Sequence, residues 1–535
     1  MQNAPNASTS APPASAVSNV EPARSGFTLT RTELDVSLHQ VDHAAEVSGK
    51  LTLRNDQSVA LRQVYLQLTS TSKWLAVKRE GTKLEFTEHQ VKSDADHTGI
   101  VNEARIHFDH PLPAHATAEL EVRYTLTVAR SSGRLRELGA PLDAALATDW
   151  DRIAEVFVGV RGVGYVVWYP VALAPGSLQE GNSVFEAVAE WKAREAASTF
   201  IVRVVNGERH GDKTYGPLGM AVPVLTGVAA PTLVRNGVSI VANSAIAAEA
   251  MAFTNDSQQF ARQWLPQVRA TAKLWQLPEA GDVPYASGNE AFVPSNLPAQ
   301  DTQSVTLYAV SHAALASPRP WIQEGYAAFL DAQYREHARG REAALKFLAD
   351  RRGALALTEP QPENVTSEAS SLIESPEESR YRTKAMFVWW MLKDIVSEAA
   401  LQKAIKAYKG EQDRSPDYMQ KLIEAQSHKD LNWFFNDWVY RDRGLAELSI
   451  AAAVPRQTVE GKWVTEVTVA NDGGAGASVP VFVTAGPIEE QGRVVVPAHA
   501  KASVQVMTNL KPTHVRVNDG SVPETDMNDN DLAIK

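Results

Sequence analysis

Apolar and polar positions alternate through much of residues 25 to 215. The runs that begin at Phe27, Glu46 and Glu119 each keep one largely apolar face, the first of them in its second half. That period-two pattern predicts half-buried strands. Pro111, Pro113 and the Asn55-Asp56 pair punctuate them, as turn residues do. Many short strands between turn signals predict a β-sandwich, and residues 238–242 add one more strand. From 245 the period changes. Phe260, Trp264, Val268, Ala272 and Trp275 step by three and four, which predicts a helix over 245–277, kinked or split at Pro266.

The next stretch, 301–334, predicts two helices. Asp301 is placed to cap the first. Tyr308 and His312 are four apart and share a face on it, although 304–310 also alternates in part, which leaves a strand open. Pro320 suits the first turn of the second helix, and Gly340 stops it. A third helix is expected over 341–357 with Leu345, Leu348 and Ala349 on one face. Residues 358–378 read as a polar, proline-containing loop, a lid or a mobile connection. A long helix is expected from Tyr381. Another runs from a Ser397 cap to Gly410, and a further one starts at a Ser415 cap with Pro416 in first position. Leu431, Phe434, Phe435 and Trp438 then mark an amphipathic helix over 430–440. After Gly444 six or seven short strands separated by Gly, Pro and Asn predict an immunoglobulin-like sandwich.

Composition narrows the possibilities. A chain of 535 residues exceeds one core and implies about three domains. Its net charge of -11 argues against a nucleic-acid partner. No apolar run approaches the length of a membrane span. With no cysteine, disulfides, thiolate metal sites and cysteine nucleophiles are excluded together. Residues 1–24 are rich in Ala, Ser, Pro and Asn and read as a disordered lead-in. A lead-in of this kind often follows a removed export signal and also suits a cytoplasmic chain with a floppy start; mainly the resemblance described below turns the expectation towards a periplasmic or secreted protein, with the cytoplasm left open. Four histidines, His97, His107, His110 and His115, invite a metal reading. His107 and His110 are three apart and would face opposite sides of a strand, so all four are expected to face solvent. No G-x-S-x-G and no glycine-rich phosphate loop occurs.

Six segments carry a resemblance: H-P-L-P-A-H at 110–115, V-W-Y-P at 167–170, Y-A-V-S-H at 308–312 followed by W-I-Q-E-G at 321–325, Y-R-T-K at 381–384, and D-L-N-W-F-F-N-D-W-V-Y at 430–440. In this order they resemble the M1 aminopeptidase family of zinc peptidases, from about residue 25 to the end. The resemblance implies a multidomain α+β chain. Its parts would be a disordered lead-in (1–24), an N-terminal β-sandwich (25–235), a mostly helical thermolysin-like (gluzincin) catalytic-type domain (236–444) and a C-terminal immunoglobulin-like β-sandwich (445–535). The family's G-x-M-x-N strand has no match; residues 288–292 come nearest.

In that family H-E-x-x-H supplies two zinc ligands and a general base, and W-x-N-E-G the third ligand. Carried over residue by residue, the first histidine position holds Tyr308, the base position Ala309, the second histidine position His312 and the third ligand position Glu324. A register starting at His312 loses one histidine and the base as well. Counting back from Lys384, Arg382 takes the place of the tyrosine that stabilises the tetrahedral intermediate, with Tyr381 one residue earlier. Arg382 and Tyr381 are thus the remaining catalytic candidates, and His312 and Glu324 the remnant metal ligands. His312 also has a plain reading as a hydrogen-bonded core histidine, and Glu324 one as an acid near a helix start.

Two ligands are too few to close a catalytic zinc site, tyrosinate would have to form far below its usual pKa of about 10, and alanine accepts no proton. The expectation is a pseudopeptidase without zinc that binds a peptide or protein in the old cleft. Two alternatives stay open: an active zinc aminopeptidase with an unorthodox site, and a structural protein of the cell envelope. Oligomeric state is left open.

Overall fold

The structure is a computed structural model and describes residues 24–181, 183–267, 271–358, 371–373 and 375–534. The lead-in expected over 1–24 lies outside the described residues up to 23. Arg24 itself is fixed, with two nitrogens on the buried Glu103 carboxylate at 2.6 and 2.8 Å. Most of the loop expected over 358–378 also lies outside them.

The N-terminal part is built on a seven-stranded sheet. Strand β1 (Phe27–His39) pairs antiparallel with β2 (Ala44–Asn55), which pairs with β3 (Thr117–Thr127); β1 also pairs parallel with β4 (Thr199–Asn206). Alternation sends Leu34, Val36 and Leu38 into the core while Glu33 and Asp35 stay on the other face. A three-stranded sheet (Leu61–Thr69, Ile100–Leu112, Phe86–Lys92) shares that core. The parallel β1–β4 pair requires a crossover. It includes a helix the alternation does not announce, α1 (Ser183–Glu195), which buries Val184, Ala187 and Trp191 at helical spacing.

The middle of the chain begins with a five-stranded sheet of β5 (Leu233–Arg235), β6 (Val238–Val241), β7 (Ala272–Leu277), β8 (Tyr285–Ser287) and β9 (Glu290–Pro294) in the order β5-β6-β7-β9-β8. This corrects the helix, kinked or split at Pro266, expected over 245–277. Helices Ala245–Ala250 and Asn255–Trp264 form, Leu265 turns extended ahead of Pro266, and the chain then enters β7. That strand is parallel to both β6 and β9. Strands covered on both faces lose clean alternation, so the spacing of Trp264, Ala272 and Trp275 mimics a helix.

Four long helices follow: α2 (Ala299–Ala314), α3 (Pro320–Arg339), α4 (Arg341–Thr358) and α5 (Ala385–Val396). Several expected caps are displaced. α2 starts at Ala299, so Asp301 lies in its first turn rather than capping it, and 304–310 is helix, not strand. Ser397 precedes helix Glu398–Ala407 at a φ of 85° without a cap bond, and the helix stops short of Gly410. Ser415 gives its hydroxyl to Asp417, and the helix begins only at Tyr418. On α4 the buried face is Ala344, Phe347 and Leu348, while Ala349 is exposed. The helix from Tyr381 is preceded by a π turn, Ser379–Lys384, and the aromatic run 430–440 splits into Asn432–Phe435 and a π turn, Asn436–Tyr440.

One glycine sets how closely α3 approaches α5. A Cβ on Gly325 would lie 2.3 Å from the Ala385 Cβ and 3.0 Å from the Tyr381 carbonyl. Gly325→Ala should therefore force the two helices apart at a cost of about 2 kcal/mol, read as a lower urea midpoint. An unchanged midpoint would remove this account of the close packing.

The C-terminal part is two sheets. β10 (Leu448–Gln457), β11 (Trp463–Asn471) and β14 (Ala500–Thr508) form one in the order β10-β11-β14. β12 (Ala477–Ala485), β13 (Ile488–Val496), β15 (His514–Val517) and β16 (Asp531–Ala533) form the other in the order β13-β12-β15-β16. Their inner faces join the core of the helical part, where Trp438 donates its indole N–H to the Gly476 carbonyl at 2.7 Å. The chain is thus multidomain α+β, with β-sheets at either end and helices between. Among the described residues no helix is long and apolar enough to cross a membrane.

Candidate functional site

Three elements converge beside α2. One turn of α2 separates Tyr308 from His312, whose ring centroids lie 4.5 Å apart. The start of α3 brings Gln323 and Glu324, and the π turn before α5 brings Tyr381 and Arg382. Glu324 is the hub. Its Oε2 accepts the Tyr308 hydroxyl at 2.5 Å and an Arg382 N–H at 2.8 Å. Its Oε1 lies 3.3 Å from His312 Nε2, but out of hydrogen-bond alignment. The same Arg382 nitrogen reaches the Tyr308 oxygen at 3.1 Å, and its other end holds Glu378. Ala309, next to Tyr308, is buried and offers no polar atom.

The charges are fixed by this arrangement. Burial pushes the Glu324 carboxyl up, but the His312 ring, the Arg382 guanidinium and the Tyr308 hydrogen bond outweigh it and hold it well below its ordinary value. Burial and the Glu324 charge push the Tyr308 hydroxyl well up, so it is a neutral donor and not a tyrosinate. Burial opposes the Arg382 charge, yet Tyr308, Glu378 and Glu324 together push it well up.

Gln323 decides the state of His312. Its Oε1 accepts the Ser317 backbone N–H at 2.6 Å, which turns the amide nitrogen toward His312 Nδ1 at 2.9 Å. An amide N–H there makes Nδ1 the acceptor, so the ring proton sits on Nε2, facing Glu324. A metal-binding histidine has the opposite polarity: it gives its distal N–H to an acceptor and its other nitrogen to the metal. Among the described residues no group of three His, Cys, Asp or Glu could hold a metal. The His312–Glu324 pair is already closed by Tyr308 and Arg382. These residues do not fit zinc.

Tyr381 does not join this cluster. Its buried hydroxyl meets Lys192 Nζ, from α1, at 3.2 Å. Lys192, Tyr308 and Arg382 line one end of a cavity of about 710 Å³ between the N-terminal sheets and the helices. The free edge strand β8 lines its side through Tyr285 and Ser287.

At the other end His97 faces Asp149, with Nδ1 2.9 and 3.0 Å from the two carboxylate oxygens. This corrects the expectation that all four histidines face solvent: His110 and His115 do, His107 is half-buried, and His97 is enclosed. Burial opposes the imidazolium, but the Asp149 bond and the charges of Asp96, Asp149 and Asp151 push His97 up to about 9. Burial nonetheless pushes Asp149 up, so the pair is a buried ion pair in which the histidine is the firmly charged partner.

The structure therefore brings together Tyr308, His312, Glu324 and Arg382, and directs Tyr381 elsewhere. The sequence reading missed Gln323, whose signal was the Gln within W-I-Q-E-G, and Lys192. The signal for Lys192 was the helical spacing of Val184, Ala187 and Trp191 within a region otherwise read as strands.

No protein-family model matches the chain, and no curated protein matches it by sequence. Solved structures do. Legionella pneumophila aminopeptidase A, in complex with aspartic acid, superposes with a TM-score of 0.57 at 10% identity, covering 93% of this chain and 59% of that one. The chain thus spans less than two thirds of the length of that structure. An M1 zinc metallopeptidase from Deinococcus radiodurans matches with a TM-score of 0.42 at 13% identity, over 78% of this chain and 94% of that one. A mutant of it bound to a Tyr-Ser-Ala substrate matches with a TM-score of 0.44 at 14% identity, over 78% and 94%. At these identities the likeness is one of fold: along 93% of its length the chain has the multidomain α+β architecture of an aminopeptidase, with β-sheets at both ends and a helical middle.

Proposed function

We propose that this protein is a pseudopeptidase: a chain with an aminopeptidase fold that binds peptide in its cavity without zinc and without hydrolysing it. The observation that carries the reading is the Glu324–Arg382 pair. Where a peptidase of this fold would present ligands to a cation, Glu324 already faces one, the Arg382 guanidinium, and Tyr308 shares it. The amide of Gln323 supports the same reading, because it leaves no acceptor for a His312 Nδ1–H. Hydrolysis also lacks a base, since Ala309 accepts no proton; that loss alone forfeits roughly 10²–10⁴ in rate.

Peptide binding is supported by the cavity wall. Among the described residues strand β8 pairs on one side only, with β9, and an extended peptide can add to such an edge through main-chain hydrogen bonds.

Metal analysis of the protein, purified without added metal, tests the first half of the proposal. We expect far less than one zinc per chain and no release of amino acids from aminopeptidase substrates, with or without added zinc. One retained zinc per chain together with hydrolysis that a chelator abolishes would replace this reading by that of an active metallopeptidase.

A further inference from the structure

Six basic groups line the cavity. Four of its basic groups have carboxylate partners: Arg134 on Asp94, Arg161 on Asp151, His97 on Asp149, and Arg382 on Glu324. Its acids are equally occupied. Asp331 holds Arg335, and Asp96 accepts the Thr98 and Val167 backbone N–H groups at 3.1 and 2.9 Å. Two cations remain. Among the described residues neither Lys192 nor Arg351 has a carboxylate within 4.0 Å, and both line the cavity. Arg351 is partly satisfied, by the Phe347 carbonyl at 3.1 Å and by the Phe347 ring, 3.5 Å from its guanidinium carbon.

Lys192 is not satisfied in this way. Its ammonium carries three protons, and among the described residues its one hydrogen-bond partner is the Tyr381 hydroxyl at 3.2 Å. Burial pushes the Lys192 amine down; the charges of Glu378 and Glu324, neither within 4.0 Å, oppose this, and that of Arg382 adds to it. A half-buried ammonium with no counter-ion is costly unless something supplies one. Glu324 and Glu378 are both committed to Arg382, and the Ser304 hydroxyl, which also lines the cavity, is a neutral group without a hydrogen-bond partner among the described residues. The charge left to be matched is positive, which is the complement of a carboxylate.

We propose that Lys192 is the subsite for a carboxylate of the bound peptide, so that the cavity selects acidic peptides or free peptide C-termini. The assignment rests on the peptide-binding reading above and narrows it to a ligand class. Lys192 comes from the N-terminal part of the chain, whereas β8 belongs to the middle sheet. A peptide held by both would therefore bridge the two.

Calorimetric titration with three tripeptides tests it. Ala-Gln-Ala amide carries no carboxylate, Ala-Glu-Ala amide carries one on the side chain, and Ala-Gln-Ala acid carries one at the C-terminus. At low salt at least one carboxylate peptide should bind roughly tenfold or more tightly than the first, as a charge-assisted hydrogen bond allows, and the arm that gains identifies the source. The gain should vanish in Lys192→Met and persist in Lys192→Arg, which keeps the charge. Equal binding of all three peptides to the wild-type protein overturns the assignment and leaves peptide binding standing. So does a gain that survives in Lys192→Met. If none of the three binds, the peptide-binding reading fails and the Lys192 subsite with it. The wild-type comparison needs no variant, so misfolding of a variant does not shield the proposal.

Discussion

Asp442→Ala is expected to destabilise the protein by roughly 3–5 kcal/mol, because it removes a buried carboxylate that a fully buried ammonium and a guanidinium share. The Lys384 side chain is 0% exposed and that of Asp442 1%. Lys384 Nζ donates to Asp442 Oδ1 and, at 3.1 Å, to the Gly444 carbonyl. Arg380 takes the other carboxylate oxygen at 3.0 Å. Removing the carboxylate takes an acceptor from each of the two cations. The pair also ties the π turn Ser379–Lys384 to the segment that leads into the C-terminal sheets, and that turn carries Tyr381 and Arg382. The urea midpoint of Asp442→Ala should fall steeply, and Lys384→Met added to it should restore part of the loss, since the ammonium that lost this carboxylate is then gone. A loss below about 1 kcal/mol, or no recovery in the double variant, would mean that water or a rearranged partner neutralises Lys384.

Where local period and burial agree, the sequence states the structure. Leu34, Val36 and Leu38 alternate because one face of β1 is buried, and Tyr308 and His312 share a face because four residues make about one helical turn. Both facts need only neighbouring positions. The failures have a common physical cause. β7 is flanked by parallel strands and covered on both faces, so its apolar run carries no period of two. α1 lies among strands, and its short amphipathic pattern competes with theirs. The first turn before α5 is π, which rotates Tyr381 and Arg382 away from the spacing an α-helix gives. The contacts that define the site are longer-ranged still. Arg382 reaches Glu324 across 58 residues and Lys192 reaches Tyr381 across 189; no periodicity encodes such a meeting. Gln323 is the instructive case. Its position was visible within W-I-Q-E-G, but its effect on His312 depends on which way the amide points, and the Ser317 N–H decides that only in the folded chain.

Glu324→Leu is expected to cost roughly 3 kcal/mol at pH 7, and the way that cost depends on conditions separates an ion-pair hub from a metal ligand. Leucine leaves the Tyr308 hydroxyl and the Arg382 guanidinium without their acceptor, and stranded buried donors cost about 1–3 kcal/mol, more when charged. Arg382 keeps 34% of its side-chain surface, so solvent screens part of its share and holds the total below that of Asp442→Ala. The pH dependence has a definite sign. The folded-state pKa of Glu324 is depressed, so its stabilising contribution is fully present above the ordinary glutamate value of 4.5 and is lost as pH falls through the depressed value. The difference in stability between wild type and Glu324→Leu should therefore be constant from pH 6 to 8 and shrink only in acid. It should be the same with and without EDTA, because the partner of Glu324 is a guanidinium on the same chain. A metal ligand behaves otherwise: a chelator would destabilise the wild type down to the level of the variant, and the gap would close at neutral pH. Urea unfolding of the two proteins at pH 7 and pH 3.5, each with and without EDTA, distinguishes these cases. A gap that EDTA erases would reject Arg382 as the cation of this site, however well the fold is described.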